Sequence, residues 1–303
     1  MGNINEIAER ELVQQALKKA LDWLGELEND TVKPMFYGGQ GIIFRMESKK
    51  YPYPLSIKVP LFDDKMSARR YRRAILKDWA LQSVGAKADH TIFPELVACD
   101  AEGNYLIRQY LEGNTLHHAI FYASPEERLD LFLKLTELTR KVFDAYHEGS
   151  EEKYILRDYR EPNIFIEDRT GRMYVIDCGS AYPEKQEIPE NYEKWQKGLG
   201  QDGFISWSPE RLLDWREMVD RRADFYSYGV MAYNVLFGHQ VYHNSQTEEV
   251  EVWKEFYQQY REAEARIRQD ERLKTIPAEL VEQLIGCLHP DPHKRFVGRI
   301  VTP

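Results

Sequence analysis

Two carboxylates and an amide near the middle of the chain have the types and spacing to work on a phosphate beside a divalent cation. Asp158 is followed by Asn163 and then by the apolar run Ile164, Phe165 and Ile166. A turn over Asp168, Arg169, Thr170 and Gly171 leads to a second apolar run, Met173 to Ile176, which ends on Asp177 with Gly179 just beyond. Two short runs joined by a Gly-containing turn predict a β-hairpin. Such a hairpin brings Asn163 and Asp177 to the same end, where two hard oxygen ligands can share a metal ion. Magnesium suits that pair, because it keeps several waters and takes few protein oxygens beside phosphate. A plain surface hairpin with scattered acids has the same local pattern, so the surrounding chain must decide.

Upstream, Gly38, Gly39 and Gly41 lie between extended runs in FYGGQGIIFRM, and Lys58 follows on the next β-like run, LSIKVP. Glycines let a backbone approach a phosphate closely with its N–H groups aimed inward. A glycine cluster alone is more often a turn; a lysine on the following strand gives it weight.

Together these segments resemble the eukaryotic-type protein kinases. Arg157-Asp158 with Asn163 resembles the catalytic loop H-R-D-x-x-x-x-N, and Asp177-Cys178-Gly179 resembles D-F-G. The glycines resemble the Gly-rich loop, and Lys58 resembles the strand lysine that grips the α- and β-phosphates. LIRQYLEGNTL resembles the hinge, where backbone groups near Gln109 and Leu111 would hold the adenine edge. Ser208-Pro209-Glu210 resembles A-P-E, and Arg295 in LHPDPHKRF the arginine that pairs with that glutamate. Asp224, Ser227 and Gly229 fit the D-x-x-S-x-G segment that supports the catalytic loop. These segments fall in the family's order between residues 36 and 296, and the distal Glu210–Arg295 pair separates the resemblance from small-molecule kinases that share only D-x-x-x-x-N.

The resemblance implies ATP and Mg2+ as cofactors and a protein substrate. It implies that Asp158 orients the acceptor hydroxyl and takes its proton, that Asn163 and Asp177 hold magnesium, and that Arg160 balances charge on the γ-phosphate. Ile43 and Phe165 would line the nucleotide with the glycines. Two other readings stay open: a nucleotide-binding scaffold that transfers nothing, and a small-molecule kinase of the same fold.

Departures from the pattern are specific. Phe36 stands at the first glycine, Ser56 at the alanine of V-A-I-K, Leu156 at the histidine and Cys178 at the phenylalanine. Leu and Cys are smaller but still apolar, so packing there can survive with looser fit. The basic helix expected over 64–84 carries no glutamate to pair with Lys58. Asp78 is the nearest acid and the expected partner, in a pair expected to form only when the helix shifts inward. Arg108 falls where an apolar residue is usual. Arg160 stands for lysine, Gly203 for threonine, and Arg-Glu-Pro-Asn swaps the usual Pro-Glu, so the acceptor is assigned to Ser/Thr on family frequency. From Glu184 to Asp202 the chain carries Glu184, Glu187, Glu190, Glu193 and Asp202, and a carboxylate there is expected to pair with Arg157 in place of a phosphate.

The elements that must position these groups follow from periodicity. Leu12, Val13, Ala16, Leu17, Ala20, Leu21, Leu24 and Leu27 recur at helical spacing, an amphipathic helix expected to pack back on the body or to bind a partner or a second copy. Strands follow over 35–62 and 92–111. Ser124-Pro125-Glu126-Glu127 is a capping box with Pro at the first helical position, and Leu129, Phe132, Leu135, Leu138, Val142, Phe143 and Tyr146 line one face beyond it. Residues 224–237 are apolar nearly all round, which predicts a buried helix. The resulting expectation is an α+β, two-lobed fold: a helical extension over 1–33, a β-rich small lobe over 34–112 with one main helix, and a larger helical lobe over 113–303.

The 303 residues are 43% apolar and 30% charged, which makes a globular chain with ample core. A net charge of −9 argues against nucleic acid or anionic membrane as the main partner. The three cysteines, Cys99, Cys178 and Cys287, lie far apart without metal spacing, as in a reducing compartment. No apolar run is long enough to span a bilayer and the first 30 residues are too charged for a signal peptide. A soluble, cytoplasmic protein is expected.

Overall fold

The computed structural model describes residues 3–28, 30–38, 41–61, 65–149, 152–184, 207–213, 219–241 and 249–302. The chain divides into two compact units: Met1–Gly113 with Val175–Ser180, and Asn114–Tyr174 with Ala181–Pro303.

The first unit opens with helices α1 (Ile4–Ala8) and α2 (Glu11–Leu24). Strands β1 (Lys33–Gly38), β2 (Gly41–Met46) and β3 (Leu55–Pro60) come next, then the long helix α3 (Lys65–Ala88), then β4 (Leu96–Cys99) and β5 (Leu106–Gln109). The strands form one antiparallel sheet in the order β1-β2-β3-β5-β4. Side chains alternate across a strand, and the two faces are used differently. Ile42, Phe44 and Met46 on β2, Leu55, Ile57 and Val59 on β3, and Ile107 on β5 form one core with Val13, Ala16, Leu17, Ala20, Leu21 and Leu24 of α2. The amphipathic stripe of α2 is therefore spent within the chain, apart from Leu12 and Leu27, which stay exposed.

Helix α2 ends at Gly25, whose φ of 69° supplies the left-handed C-cap. Lys50 Nζ donates to the Leu24 carbonyl at the same end. Just beyond, the buried Glu26 carboxylate accepts from Ser48 Oγ at 2.7 Å and from the Lys49 N–H at 3.2 Å. These bonds fix the helix to the β2–β3 connection. The opposite face of the sheet carries Ile43 paired with Lys58, and Ser56 paired with Arg108.

The second unit is mostly helical. It begins with β6 (Gly113–Thr115), α4 (Leu116–Tyr122) and α5 (Pro125–Phe143), and α5 runs on into one π-helical turn over Asp144–Glu148. The capping box forms as the sequence predicts: the Ser124 side chain accepts from Glu127 N, and the Glu127 side chain accepts from Ser124 N. Strand β7 (Tyr154–Ile155) and a 3-10 turn (Glu161–Asn163) precede the hairpin strands β8 (Ile164–Glu167) and β9 (Met173–Val175). Strand β10 (Tyr182–Pro183) pairs with β7, while β8 sits between β6 and β9. Helices α6 (Pro209–Leu212), α7 (Arg222–Phe237), α8 (Glu249–Gln269) and α9 (Ala278–Cys287) complete the unit. Every residue of α7 from Ala223 to Leu236 is buried. A β-rich unit and a helical unit make the expected α+β class. Among the described residues no helix is long and apolar enough to cross a membrane.

Candidate active site

In the first unit, β3 carries Lys58 onto the sheet face opposite the α2 core, where it is almost wholly buried. Its Nζ lies 2.8 Å from Asp177 Oδ2 and 3.1 Å from Asp78 Oδ2. The Lys58–Asp78 pair is formed in this structure, with no further movement of α3 needed. Asp78 is wholly buried, and its other oxygen accepts from Gln82 Nε2 at 2.7 Å and from the Cys178 N–H at 2.9 Å. Both oxygens of this short acid are thus used. Burial by itself would lower the Lys58 ammonium, but the Asp177 and Asp78 charges outweigh it and raise it above the usual lysine range. For Asp177 burial works upward; Lys58, the Gly179 N–H and Arg108 overcome it and hold the carboxyl below its ordinary value.

The segment Val175–Ser180 is pinned to this unit residue by residue. The Val175 N–H donates to the Ile92 carbonyl at 2.9 Å, and Arg108 Nη1 donates to the Ile176 carbonyl at 2.6 Å. Asp177 meets Lys58, Cys178 N–H meets Asp78, and the Gly179 N–H donates to Asp177 Oδ1 at 2.9 Å. A Cβ on Gly179 would make ordinary contact, at 3.4 Å, with the Ala74 carbonyl of α3, so the segment lies on that helix. Gly38 and Gly41 pair at the end of β1 and β2, and a Cβ on Gly41 would meet the Val59 carbonyl at 2.8 Å. Gly39 lies outside the described residues. At the end of β5 the Gln109 N–H is spent on the Glu95 carbonyl and the Tyr110 N–H on Pro54, so at Gln109 itself the carbonyl is the backbone group left for a ligand. The Leu111 side chain is buried.

In the second unit, Asn163 Nδ2 donates to the Asp158 carboxylate at 2.9 Å and to the Asp158 carbonyl at 2.8 Å. Arg160 Nε lies 2.9 Å from Asp158 Oδ1. Because the Asn163 amide nitrogen is committed to Asp158, its oxygen is the atom left to face a metal ion. The Asn163 amide oxygen in this unit and the Asp177 carboxylate in the first are each hard oxygen donors of the kind magnesium takes beside phosphate. Among the described residues no group of three or more His, Cys, Asp or Glu could hold a metal by itself.

The backbone at Arg157 is left-handed, with φ of 65°, a conformation that non-glycine residues adopt at a cost. Asp224, from the first turn of the buried helix α7, holds it there. Its carboxylate accepts from Leu156 N at 2.7 Å, from Arg157 N at 2.9 Å and from His147 Nε2 at 3.1 Å. Asn234, farther along α7, donates to the buried Glu161 at 2.8 Å. Ser227 bonds back to the Ala223 carbonyl within the helix. Glu210 and Arg295, neither exposed, form a two-pronged pair at 2.7 and 3.1 Å. Phe165 is half-buried on β8.

Sequence reasoning left Gln82 and His147 unassigned. Gln82 carried a signal, four residues beyond Asp78 on one helix face. His147 did not, because nothing local shows that α7 approaches a π-helical turn. The arginine at 108, unaccounted for in the sequence, is explained by the Ile176 carbonyl. Of the acids expected near Arg157, Glu184 accepts from the Arg221 N–H at 3.3 Å, while Glu187, Glu190, Glu193 and Asp202 lie outside the described residues, as does Gly203.

The family described as protein kinase domain matches residues 92–300, which takes in Asp158, Asn163, Asp177, Glu210, Asp224 and Arg295 but not Lys58 or the glycines. Serine/threonine-protein kinase pkn2 of Myxococcus xanthus is 25% identical over 213 residues, 68% of this chain and 24% of that protein. A probable serine/threonine-protein kinase of Clostridium acetobutylicum is 25% identical over 200 residues, 66% of this chain and 28% of that protein. A probable LRR receptor-like serine/threonine-protein kinase of Arabidopsis thaliana is 31% identical over 159 residues, 49% of this chain and 14% of that protein. The chain thus spans less than a third of the length of these relatives. With the matched family covering more than half of its residues, the chain belongs to the protein kinase domain family.

Proposed function

We propose that this chain is an ATP- and magnesium-dependent protein kinase that transfers the γ-phosphate to a protein hydroxyl, serine or threonine. The observation that carries the reading is the buried Lys58 ammonium, shared between Asp78 and Asp177. A lysine held so, facing a carboxylate on a glycine-flanked segment, is equipped to grip phosphates next to a metal-binding acid. The names of the relatives, serine/threonine kinases of bacteria and plants, support the acceptor class.

In this reading Lys58 holds the α- and β-phosphates and the backbone at Gly38, Gly39 and Gly41 covers them. The Gln109 carbonyl and the Leu111 backbone would hold the adenine edge, with Ile43 and Phe165 as further nucleotide contacts. Asn163 and Asp177 would hold magnesium, which when bound would neutralise phosphate charge. Asp158 accepts the proton of the acceptor hydroxyl as its oxygen bonds to the γ-phosphorus and the bond to the ADP oxygen breaks. Arg160, now beside Asp158, moves to offset charge on the transferred group. Phosphoryl transfer passes through a loose transition state, so positioning and charge neutralisation supply the catalysis.

The test is transfer from γ-labelled ATP with magnesium, to the chain itself and to a generic protein acceptor, beside Asp158→Asn. The expected result is labelled phosphoserine or phosphothreonine, at a turnover of about 1–100 per second with a good substrate, and none from the variant although it still binds ATP. Equal labelling by the variant overturns the assignment of Asp158. No label with intact nucleotide binding points to a scaffold, and turnover stimulated only by a metabolite points to a small-molecule kinase.

A further inference from the structure

We propose that Arg108 is a positioning residue for Asp177: by holding the Ile176 carbonyl it sets where that carboxylate stands, and so how firmly magnesium is held. The inference rests on the reading of Asp177 as a metal ligand.

Burying a guanidinium is costly unless it is well partnered, and a β-strand interior position such as 108 is ordinarily apolar. Arg108 is nonetheless 7% exposed, between β3 and β4. Its cross-strand neighbour is Ser56, buried and small, which leaves room for a long side chain on that face. Residues directly opposite in an antiparallel pair share a face. Arg108 and Ser56 therefore project on the same side as Lys58, two residues from Ser56, toward Val175–Ser180. Arg108 ends on the carbonyl of Ile176, immediately before Asp177.

The bond closes a set of side-chain anchors on consecutive residues. Arg108 takes the carbonyl of 176, Lys58 the carboxylate of 177 and Asp78 the N–H of 178. The two cations and two anions balance, so the cluster carries no net buried charge. Lys58 cannot by itself fix Asp177 when it must also grip phosphates, since its ammonium would then be shared. Arg108 holds the backbone instead, and its hold is independent of where Lys58 points. Charge-assisted hydrogen bonds are the stronger kind, and a guanidinium keeps its charge at any working pH.

The experiment compares wild type, Arg108→Met and Arg108→Lys. Hydrogen exchange at the Cys178 and Gly179 amides is followed in the nucleotide-free chain, with Val230 in α7 as an internal reference. The expected result in Arg108→Met is exchange faster by roughly ten- to hundred-fold at Cys178 and Gly179 with Val230 unchanged, and partial restoration in Arg108→Lys. In calorimetry with ADP, magnesium should tighten binding less in Arg108→Met than in wild type by several-fold, while magnesium-free ADP binding stays alike. Unchanged exchange at 178 and 179 overturns the proposal. So does equal acceleration at Val230 in both variants, which marks a purely structural role. If wild type shows no magnesium-dependent ADP binding, the kinase reading fails, and the exchange result still decides whether Arg108 holds the segment.

Discussion

Asp78 pairs with Lys58 through a side chain one methylene shorter than the glutamate that the kinase resemblance implies. Its two oxygens serve Lys58, Gln82 and the Cys178 N–H at once, with no exposure to water. Removing one partner from a buried, hydrogen-bonded charge set leaves the others unpaired, so Asp78→Ala is expected to cost about 3–5 kcal/mol of stability, read from the urea midpoint. Asp78→Glu installs the longer acid that the kinase resemblance implies, yet adds a methylene to a fully buried site. Overpacking of that kind costs about 1–3 kcal/mol, so this variant is expected to be less stable than wild type and no more active. A gain in both would show that α3 has room to retreat.

At the level of elements, helix α7 is the spine of the second unit. Asp224 fixes the left-handed backbone at Arg157, and Asn234 fixes Glu161 beside Asn163. Gly229 lets α9 pack against the same helix: a Cβ there would meet Cys287 Cβ at 2.9 Å and Leu288 N at 3.0 Å. Part of that obstacle is backbone, which yields poorly, so Gly229→Ala is expected to lose about 1–3 kcal/mol in denaturant melts.

The end of α9 also holds a pH-sensitive residue. His289 packs at a tilt against Tyr260 and meets Tyr257 edge-on, and its Nδ1 accepts from the Asp291 N–H. Burial lowers its imidazole below the ordinary value. The unfolded chain, at about 6.5, takes up the proton first, so this contribution is intact above that pH and is lost as pH falls through the depressed folded value. Stability measured from pH 7.5 down to 5 should fall less steeply in His289→Gln than in wild type; parallel slopes would remove His289 as a cause.

For the molecule as a whole, the family match begins at residue 92, but the first unit does not. Its core includes six residues of α2 on the sheet face opposite Lys58, and each buried valine or leucine among them contributes about 1.5–3 kcal/mol. A chain starting at residue 34 would leave Ile42, Phe44, Ile57 and Val59 facing water. It is expected to be insoluble or to lack a cooperative melt, and Leu17→Ala in the full chain to cost about 2–5 kcal/mol. A soluble, cooperatively folding truncation would show instead that the helices are an accessory.

The sequence by itself singled out the candidate chemistry-bearing residues and their order, because short motifs are set by what lies within a few positions. Asp158 with Asn163, Asp177 with Gly179, and the capping box at Ser124 were all legible, as were the α2 stripe and the buried run of α7, since helical periodicity reports burial directly. Tertiary structure decided who holds whom. That Asp78 reaches Lys58 without a longer side chain, that Arg108 ends on the Ile176 carbonyl, and that His147 and Asp224 meet are pairings across 20 to 77 residues of chain. Such pairings depend on strand register and on how a segment lies against a helix. Those are set by the packing of whole faces, and no local pattern of residues encodes them.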